Sequence, residues 1–403
     1  MAVPFLKSVK KSFLRLLLLT VLLFPVGMWA AWYMTARRKF VIAVIDKTVL
    51  TKKGQEHISL SWILNQEKFA RNHTELYQPE RDYFGFFPLG RDSFRLKGLE
   101  RFNTDALQQL SKDADAAYLT DAYGVYSNEW YQKGNISERS GLIYGGMSVQ
   151  DLQFLQFMQD RHKLIIAEFN CLGSPTEAPV RRGFERSFGV YWSGWVGRYF
   201  DSFDTTTNKE LPPWLVRDYR RQHNGSWPFR RGGVAFVHSD DRIVILEKEK
   251  DLQTEFPYMF AGPEGQDYYG IPAHMRYTYW FDVVRADTSF NHVIARFELA
   301  VTEKGGKELR ENGLPSVYPA VIAHVNRDYR FFYLAGDFCD NPIGLTTSYF
   351  KGIHCLQWFL YNKYDPLERR DFFWRAYRPL VTTILEDYYH QRIDSTHLGN
   401  QSR

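Results

Sequence analysis

Residues 163–175 read KLIIAEFNCLGSP. The unbroken apolar run Leu164 to Ala167, followed by Glu168 and then by the turn-forming Asn170 and Gly173, is the pattern of a short strand covered on both faces. The pattern recurs upstream in FVIAVID (40–46), which ends at Asp46, and in AAYLTD (116–121), which ends at Asp121. GLIYGG (141–146) predicts a further strand that breaks into Gly145 and Gly146. Between these runs lie helical segments. Ser59 is placed to cap a helix reaching about Ala70, a second covers Thr104–Lys112, and Ser148 opens a third in which Val149, Leu152, Leu155 and Met158 recur at helical spacing. Thr176 to Phe188 and Leu211 to Gln222 predict two more. Strands alternating with helices predict an α/β fold, a mostly parallel sheet with helices on both faces.

From Gly232 the pattern changes. GGVAFVHSDDRIVILE reads as two strands joined near Ser239-Asp240-Asp241, and MRYTYWFDVV (275–284) and HVIARFELAV (292–301) alternate as half-buried antiparallel strands do. VIAHV and FFYLAGD add two strand candidates, and Asp365–Ile393 predicts C-terminal helices divided by Pro379. The expected organisation is a stub and anchor over 1–38, the α/β domain over 39–250, and a β-rich extension with C-terminal helices over 251–403, separate from the first sheet or continuous with it.

In an open parallel sheet, ligands collect outside the carboxyl ends of the strands. That rule makes Asp46, Asp121, Gly145, Gly146, Glu168 and Asn170 candidate ligand-binding residues. VYWSGWVGRYFDSFD (190–204) adds Trp195 and Arg198, an aromatic and basic pair suited to a glycan surface if exposed. GDFCD places Asp337 and Asp340 three positions apart after a strand, which suits acid–base work or cation binding, yet no His/Cys spacing completes a metal site. No metal and no cofactor are expected.

The succession of a strand ending in Gly145-Gly146, a helix, and a strand delivering Cys171 at a tight turn resembles the core of the class I glutamine amidotransferase-like fold. The likeness covers roughly residues 40–250 in topology and about 35 in motif. It implies a flavodoxin-like α/β arrangement, with Cys171 as nucleophile, His238 and Asp240 as partners standing where that family has H-x-E, and Gly145-Gly146 donating N–H groups to an oxyanion. The chain departs from the pattern at Phe169, which stands where the family's G-x-C-x-G turn has its first glycine.

The chain has 403 residues and a net charge of +5, but the first forty residues hold seven basic groups and no acid, leaving −2 for the rest. A nearly neutral body lacks the basic stripe of a nucleic-acid binder. The seven charges flank LLLLTVLLFPVGMWAAWYM (16–34), an uncharged run of the ~20 residues that cross a bilayer core. Its length and its closing Trp29, Trp32 and Tyr33 favour an uncleaved single-pass anchor over a signal peptide cut near Ala30-Ala31. The basic residues preceding it favour a cytoplasmic N-terminus and an extracytoplasmic, periplasmic body. Three cysteines exclude a disulfide scaffold. The expected function is that of a catalytically degenerate ligand-binding module at the cell envelope, with a glycan or an envelope protein as partner. The alternatives are a thiol hydrolase or amidotransferase using Cys171, and a carbohydrate-active enzyme using the strand-end carboxylates.

Overall fold

The computed structural model describes residues 19, 21–53, 55–72, 74–90, 92–132, 139–326 and 328–401. A helix over 21–34 is followed by β1 (Arg38–Lys39), β2 (Ile42–Asp46), β3 (Phe69–Ala70), β4 (Phe84–Gly90) and β5 (Ser93–Leu96). Next come β6 (Ala116–Asp121), β7 (Val125–Tyr126), β8 (Leu142–Tyr144), β9 (Leu164–Glu168) and β10 (Val190–Ser202). The second half supplies β11 (Arg231–His238), β12 (Ile243–Glu247), β13 (Tyr258–Ala261), β14 (His274–Arg276), β15 (Trp280–Ala286), β16 (His292–Glu298), β17 (Val317–Val325) and β18 (Arg330–Leu334).

A ten-stranded mixed sheet runs in the order β14-β13-β16-β17-β18-β9-β6-β2-β4-β5. Its centre is parallel: β18 pairs with β9, β9 with β6, β6 with β2 and β2 with β4, all in the same direction. Numbered along the chain, these five strands take the order 2-1-3-4-5 of flavodoxin-like sheets, whose direction of winding reverses between the first and third strands, here β2 and β6. Every residue of β2, β6 and β9 is buried, as continuous apolar runs require between two helical layers. Gly85 lets β4 close on β2, because a Cβ there would lie 1.6 Å from the Asp46 carbonyl oxygen.

Helices Ile58–Gln66, Thr104–Asp113, Val149–Asp160 and Ala178–Phe188 accompany the sheet. Ser148 caps the third of these as expected. Its hydroxyl accepts the Asp151 N–H at 3.0 Å, and Asp151 Oδ2 accepts the Ser148 N–H at 2.8 Å. Ser59 does not cap. A 3-10 turn over Gln55–His57 precedes the helix, and Ser59 is buried one residue inside it, where its hydroxyl accepts from Asn341 Nδ2.

GLIYGG is a correction. β8 is three residues long, partly exposed and paired only with β7, outside the large sheet. The parallel array takes β18 in its place, from the far half of the chain. VYWSGW lies outside that sheet, since β10 joins β11, β12 and β15 in a separate four-stranded antiparallel sheet. Both sheets use strands from either side of position 250. The C-terminal stretch is helical from Arg369, with a π-helical turn over Phe373–Tyr377 just ahead of Pro379 and a final helix Arg378–Gln401. A residue without an N–H fits where the helical hydrogen-bond pattern changes.

The expected anchor falls partly outside the described residues, at 16–18 and 20. Among the described residues no helix is long and apolar enough to cross a membrane. The helix over 21–34 nonetheless presents Val21, Leu22, Leu23, Phe24, Val26, Trp29, Tyr33 and Met34 exposed.

Candidate functional site

β2 and β6 end side by side, Asp46 aligned with Asp121, at the reversal point of the parallel array. Both carboxylates are buried. Asp46 Oδ1 accepts the Thr48 N–H at 3.1 Å, and Asp121 Oδ1 accepts the Tyr123 N–H at 2.6 Å. Asp46 Oδ2 lies 2.5 Å from His57 Nδ1, while His57 Nε2 donates to the Pro79 carbonyl at 2.8 Å, so both ring nitrogens are engaged.

The residue beside His57, Glu56, brings a third acid to this edge from the 3-10 turn after β2. The loop after β18 brings Asp337 and Asp340. Carboxylate oxygens of Glu56, Asp337 and Asp340 lie within 4.8 Å of one another. Arg369 supplies the counter-charge, at 2.7 Å from Asp340 and 3.4 Å from Asp337, with Tyr279 beneath its guanidinium at 3.9 Å.

Like charges this close hold on to protons. Burial pushes the Glu56 carboxyl well up, and Asp340, Asp337, Asp121 and Asp46 push in the same direction. Burial also raises Asp121 strongly, aided by Asp337 and Asp46 against the Tyr123 N–H. Asp337 is raised to about 7, by burial and by Asp340, against the pull of Arg369. Burial works against the charge of Arg369, but Asp340 and Asp337 more than offset it and keep the guanidinium charged. The three-carboxylate set is chemically suited to proton transfer near neutral pH, and its hard oxygens are the donor type for a divalent cation.

Glu168 serves this site indirectly. It is buried, receives the Tyr118 hydroxyl, and accepts the backbone N–H groups of Phe338 and Cys339 at 3.2 and 3.0 Å. Both of its oxygens are engaged in this way, and it fixes the loop that carries Asp337 and Asp340. The Asp337 N–H donates to the Trp280 carbonyl at 3.1 Å, joining the strand that carries the half-buried Trp280 to the acid-bearing loop. Arg198 lies over its ring at 5.2 Å and Phe169 stacks on it at 6.4 Å. Arg198 is thus part of the rim, ion-paired with Glu210.

The thiol set expected from the sequence is not assembled. Cys171 is fully buried, with its Sγ directed 3.8 Å from the Leu119 carbonyl, and burial, reinforced by Asp121, pushes the thiol well above its ordinary range. The left-handed residue of the turn is Asn170, φ +62°, one position early, so the sulfur turns inward. His238 ends β11 at the hairpin and bonds Asp240, Nδ1 to Oδ1 at 2.7 Å, rather than Cys171. Nor is Gly146 an oxyanion donor, since its N–H is given to the Ala122 carbonyl at 2.6 Å; Gly145 is packed against the Tyr123 backbone, where a Cβ would lie 2.6 Å from the carbonyl oxygen. Trp195 is buried under His238, 4.7 Å between rings, and presents no platform.

This placement has two measurable consequences. Cys355 is the exposed one of the three thiols, so alkylation of the native protein is expected to modify Cys355 alone at pH 8, with Cys171 and Cys339 reacting only in denaturant. Mass mapping that finds Cys171 modified in minutes under native conditions would contradict the burial.

The second concerns Asp282. The Asn170 N–H donates to its Oδ2 at 3.2 Å, as does the Tyr333 hydroxyl at 2.7 Å, while Oδ1 has no hydrogen-bond partner among the described residues. Burial raises this carboxyl to about 7, against those two bonds. A carboxyl raised on folding contributes stability fully below its unfolded value near 4 and loses it as pH climbs through the folded value. A shift of roughly 3 pH units corresponds to about 4 kcal/mol. Urea unfolding of Asp282→Asn is therefore expected to show a shallower decline in stability between pH 4 and 7 than the parent. Parallel profiles would refute the assignment.

No protein-family model matches the chain, and no curated protein sequence matches it. Among solved structures, the chain is similar to a ThuA-like protein from Bacteroides uniformis at 8% identity and a TM-score of 0.34, over 79% of this chain and 90% of that one. It is also similar to a beta-galactosidase from Bacillus circulans sp. alkalophilus (10% identity, TM-score 0.32, 78% of this chain and 31% of that one). A ThuA-like protein from Parabacteroides merdae matches at 10% identity and a TM-score of 0.31, over 74% of this chain and 78% of that one. At these TM-scores no residue's role transfers from any of them.

Glu56, His57, Arg369 and Trp280 were not singled out by the sequence. Glu56 lies ten residues past the end of a strand, and Arg369 lies 32 positions beyond Asp337, so no local motif joins them. The one available signal was GDFCD, two acids after a strand.

Proposed function

We propose that this chain is an envelope-anchored α/β protein that acts on a glycan through carboxylate acid–base chemistry, with Asp337 as proton donor, Asp340 as its carboxylate partner, Glu56 as a neighbouring carboxyl that keeps its proton, and Trp280 with Arg198 as the aromatic and basic rim. The observation that carries this reading is the meeting of Glu56, Asp337 and Asp340 within 4.8 Å, with Asp337 raised to about 7. A carboxyl that keeps its proton near neutral pH beside a carboxylate tied to Arg369 is the division of labour that glycosidic-bond cleavage uses. The half-buried Trp280, whose carbonyl accepts the Asp337 N–H, supplies an aromatic on the strand next to the acid-bearing loop. The degenerate glutamine amidotransferase-like reading belongs here as well, supported by the 2-1-3-4-5 order of the parallel strands. The body is extracytoplasmic in this proposal, held by residues 16–34 as a single-pass anchor. Support comes from that run's lack of charge and from the exposed apolar face of the helix over 21–34.

The test is release of reducing ends from envelope polysaccharides, peptidoglycan strands included, by the full-length protein in mild detergent. Cleavage is expected, unaffected by thiol alkylation, and falling as pH rises above about 7 as the acid form of Asp337 is lost. Absence of cleavage across the panel, or its abolition by alkylation, would sink the reading.

A further inference from the structure

The joint between the helix over 21–34 and the body is packed rather than loose. Met28 and Trp32 are buried against the body. The Trp32 Nε1–H donates to the Asn65 carbonyl at 3.0 Å, Lys68 lies over its ring at 3.3 Å, and Tyr349 packs edge-on at 4.8 Å. The Lys351 N–H donates to the Met28 carbonyl at 3.1 Å, so the Lys351 backbone stands level with Met28, six residues below the helix end at Met34. At 1.5 Å per residue that is a depth of about 9 Å. The Lys351 side chain climbs back along the helix, and its Nζ donates to Thr35 Oγ1 at 3.0 Å. An ammonium drawn from the level of an apolar stretch toward its end is how lysine behaves at a bilayer interface.

The chain immediately after Lys351 matches that depth. Residues 352–362, GIHCLQWFLYN, carry no acid, lysine or arginine. The 3-10 segment Ile353–Phe359 leaves Trp358 and Phe359 68% and 78% exposed, and Tyr364 just beyond is exposed too. A seven-residue 3-10 segment spans about 14 Å, so both rings stay within about that reach of the Lys351 backbone that meets Met28. Ile353, Leu360 and Tyr361 pack inward, so the exposed rings are held on a folded base.

We infer that Trp358 and Phe359 seat in the lipid interface beside the anchor, making a second bilayer contact that fixes the body against the membrane. This rests on residues 16–34 spanning the bilayer. The bond that ties Lys351 to the helix at Met28 brings this segment beside the apolar run and chooses lipid as the occupant, and Trp is the residue type enriched at membrane–water interfaces.

The test uses the full-length protein in phosphatidylcholine/phosphatidylglycerol vesicles, with an environment-sensitive fluorophore on the exposed native Cys355. Flotation with the vesicles reports the anchor. Quenching by lipids spin-labelled near the headgroup reports the second contact; it is expected in the parent and lost in Trp358→Ser/Phe359→Ser, whose exposed positions leave the fold intact. Flotation without quenching overturns the inference and leaves the anchor standing. Quenching that persists in the double variant overturns the role of the two rings. Failure to float overturns both the anchor and the inference.

Discussion

Asp337→Asn is expected to lower glycan cleavage by about 10²–10⁴-fold, the range for loss of a positioned general acid. The amide keeps the shape of the side chain and an oxygen for Arg369, but has no acidic proton to give. Stability is expected to move the other way. Asp337 is raised to about 7 because burial and Asp340 oppose its charge, so at pH 8 the folded protein holds an unfavourable carboxylate that the amide removes. A large fall in rate accompanied by an unchanged or higher melting temperature at pH 8 is the signature of a group kept for chemistry. Paired rate and thermal unfolding measurements decide it: if both fall together, Asp337 is part of the scaffold and the proton donor must be sought elsewhere.

The largest expected stability effect belongs to Lys47. It follows Asp46 into the core, where its side chain is fully buried between Asp151 and Glu100, and its Nζ also donates to the Gly146 carbonyl at 2.9 Å. Burial disfavours its charge, yet Asp151 and Glu100 more than restore it and its pKa is raised. Asp151 is itself without exposure, so Lys47→Met strands a carboxylate in the interior. Breaking a buried pair from one side costs about 3–5 kcal/mol. Lys47→Met/Asp151→Asn is expected to recover a good part of that, and urea unfolding of the four proteins of the cycle would measure the coupling. Additive losses would mean that the two charges do not depend on each other.

The parallel centre of the fold was legible because β2, β6 and β9 are buried on both faces, and burial of that kind writes itself as unbroken apolar runs ending in an acid. GLIYGG carried a similar run and misled. Three residues beside paired glycines are satisfied by a local hairpin, and the sheet was completed by FFYLAGD from more than a hundred positions later. Of the site, Asp46 and Asp121 were readable by their place at strand ends. Glu168 was found by the same rule but works on backbone rather than ligand. Cys171 looked reactive because a strand-to-turn cysteine often is, whereas its accessibility depends on a single residue of register: the left-handed turn falls on Asn170. Glu56 and Arg369 left no local trace, since their meeting is made by tertiary packing between distant segments.

Arg38, four residues past the end of the first helix, sets both terminal guanidinium nitrogens against Glu386 at 2.5 Å, and its Nη2 and Nε also donate to the Glu67 carbonyl at 2.6 and 3.1 Å. Glu386 belongs to the last helix, so the stem of the molecule is riveted to its final element. A domain on a slack tether sweeps a hemisphere and meets whatever passes; one clamped at its stem has a fixed working height and a fixed direction. Under the anchor and glycan activity proposed above, polymer lying at that height would be presented to the carboxylates continuously, and polymer beyond it would not be reached at all. Releasing the clamp with Arg38→Ala would therefore change what the site can touch without altering a single residue in it.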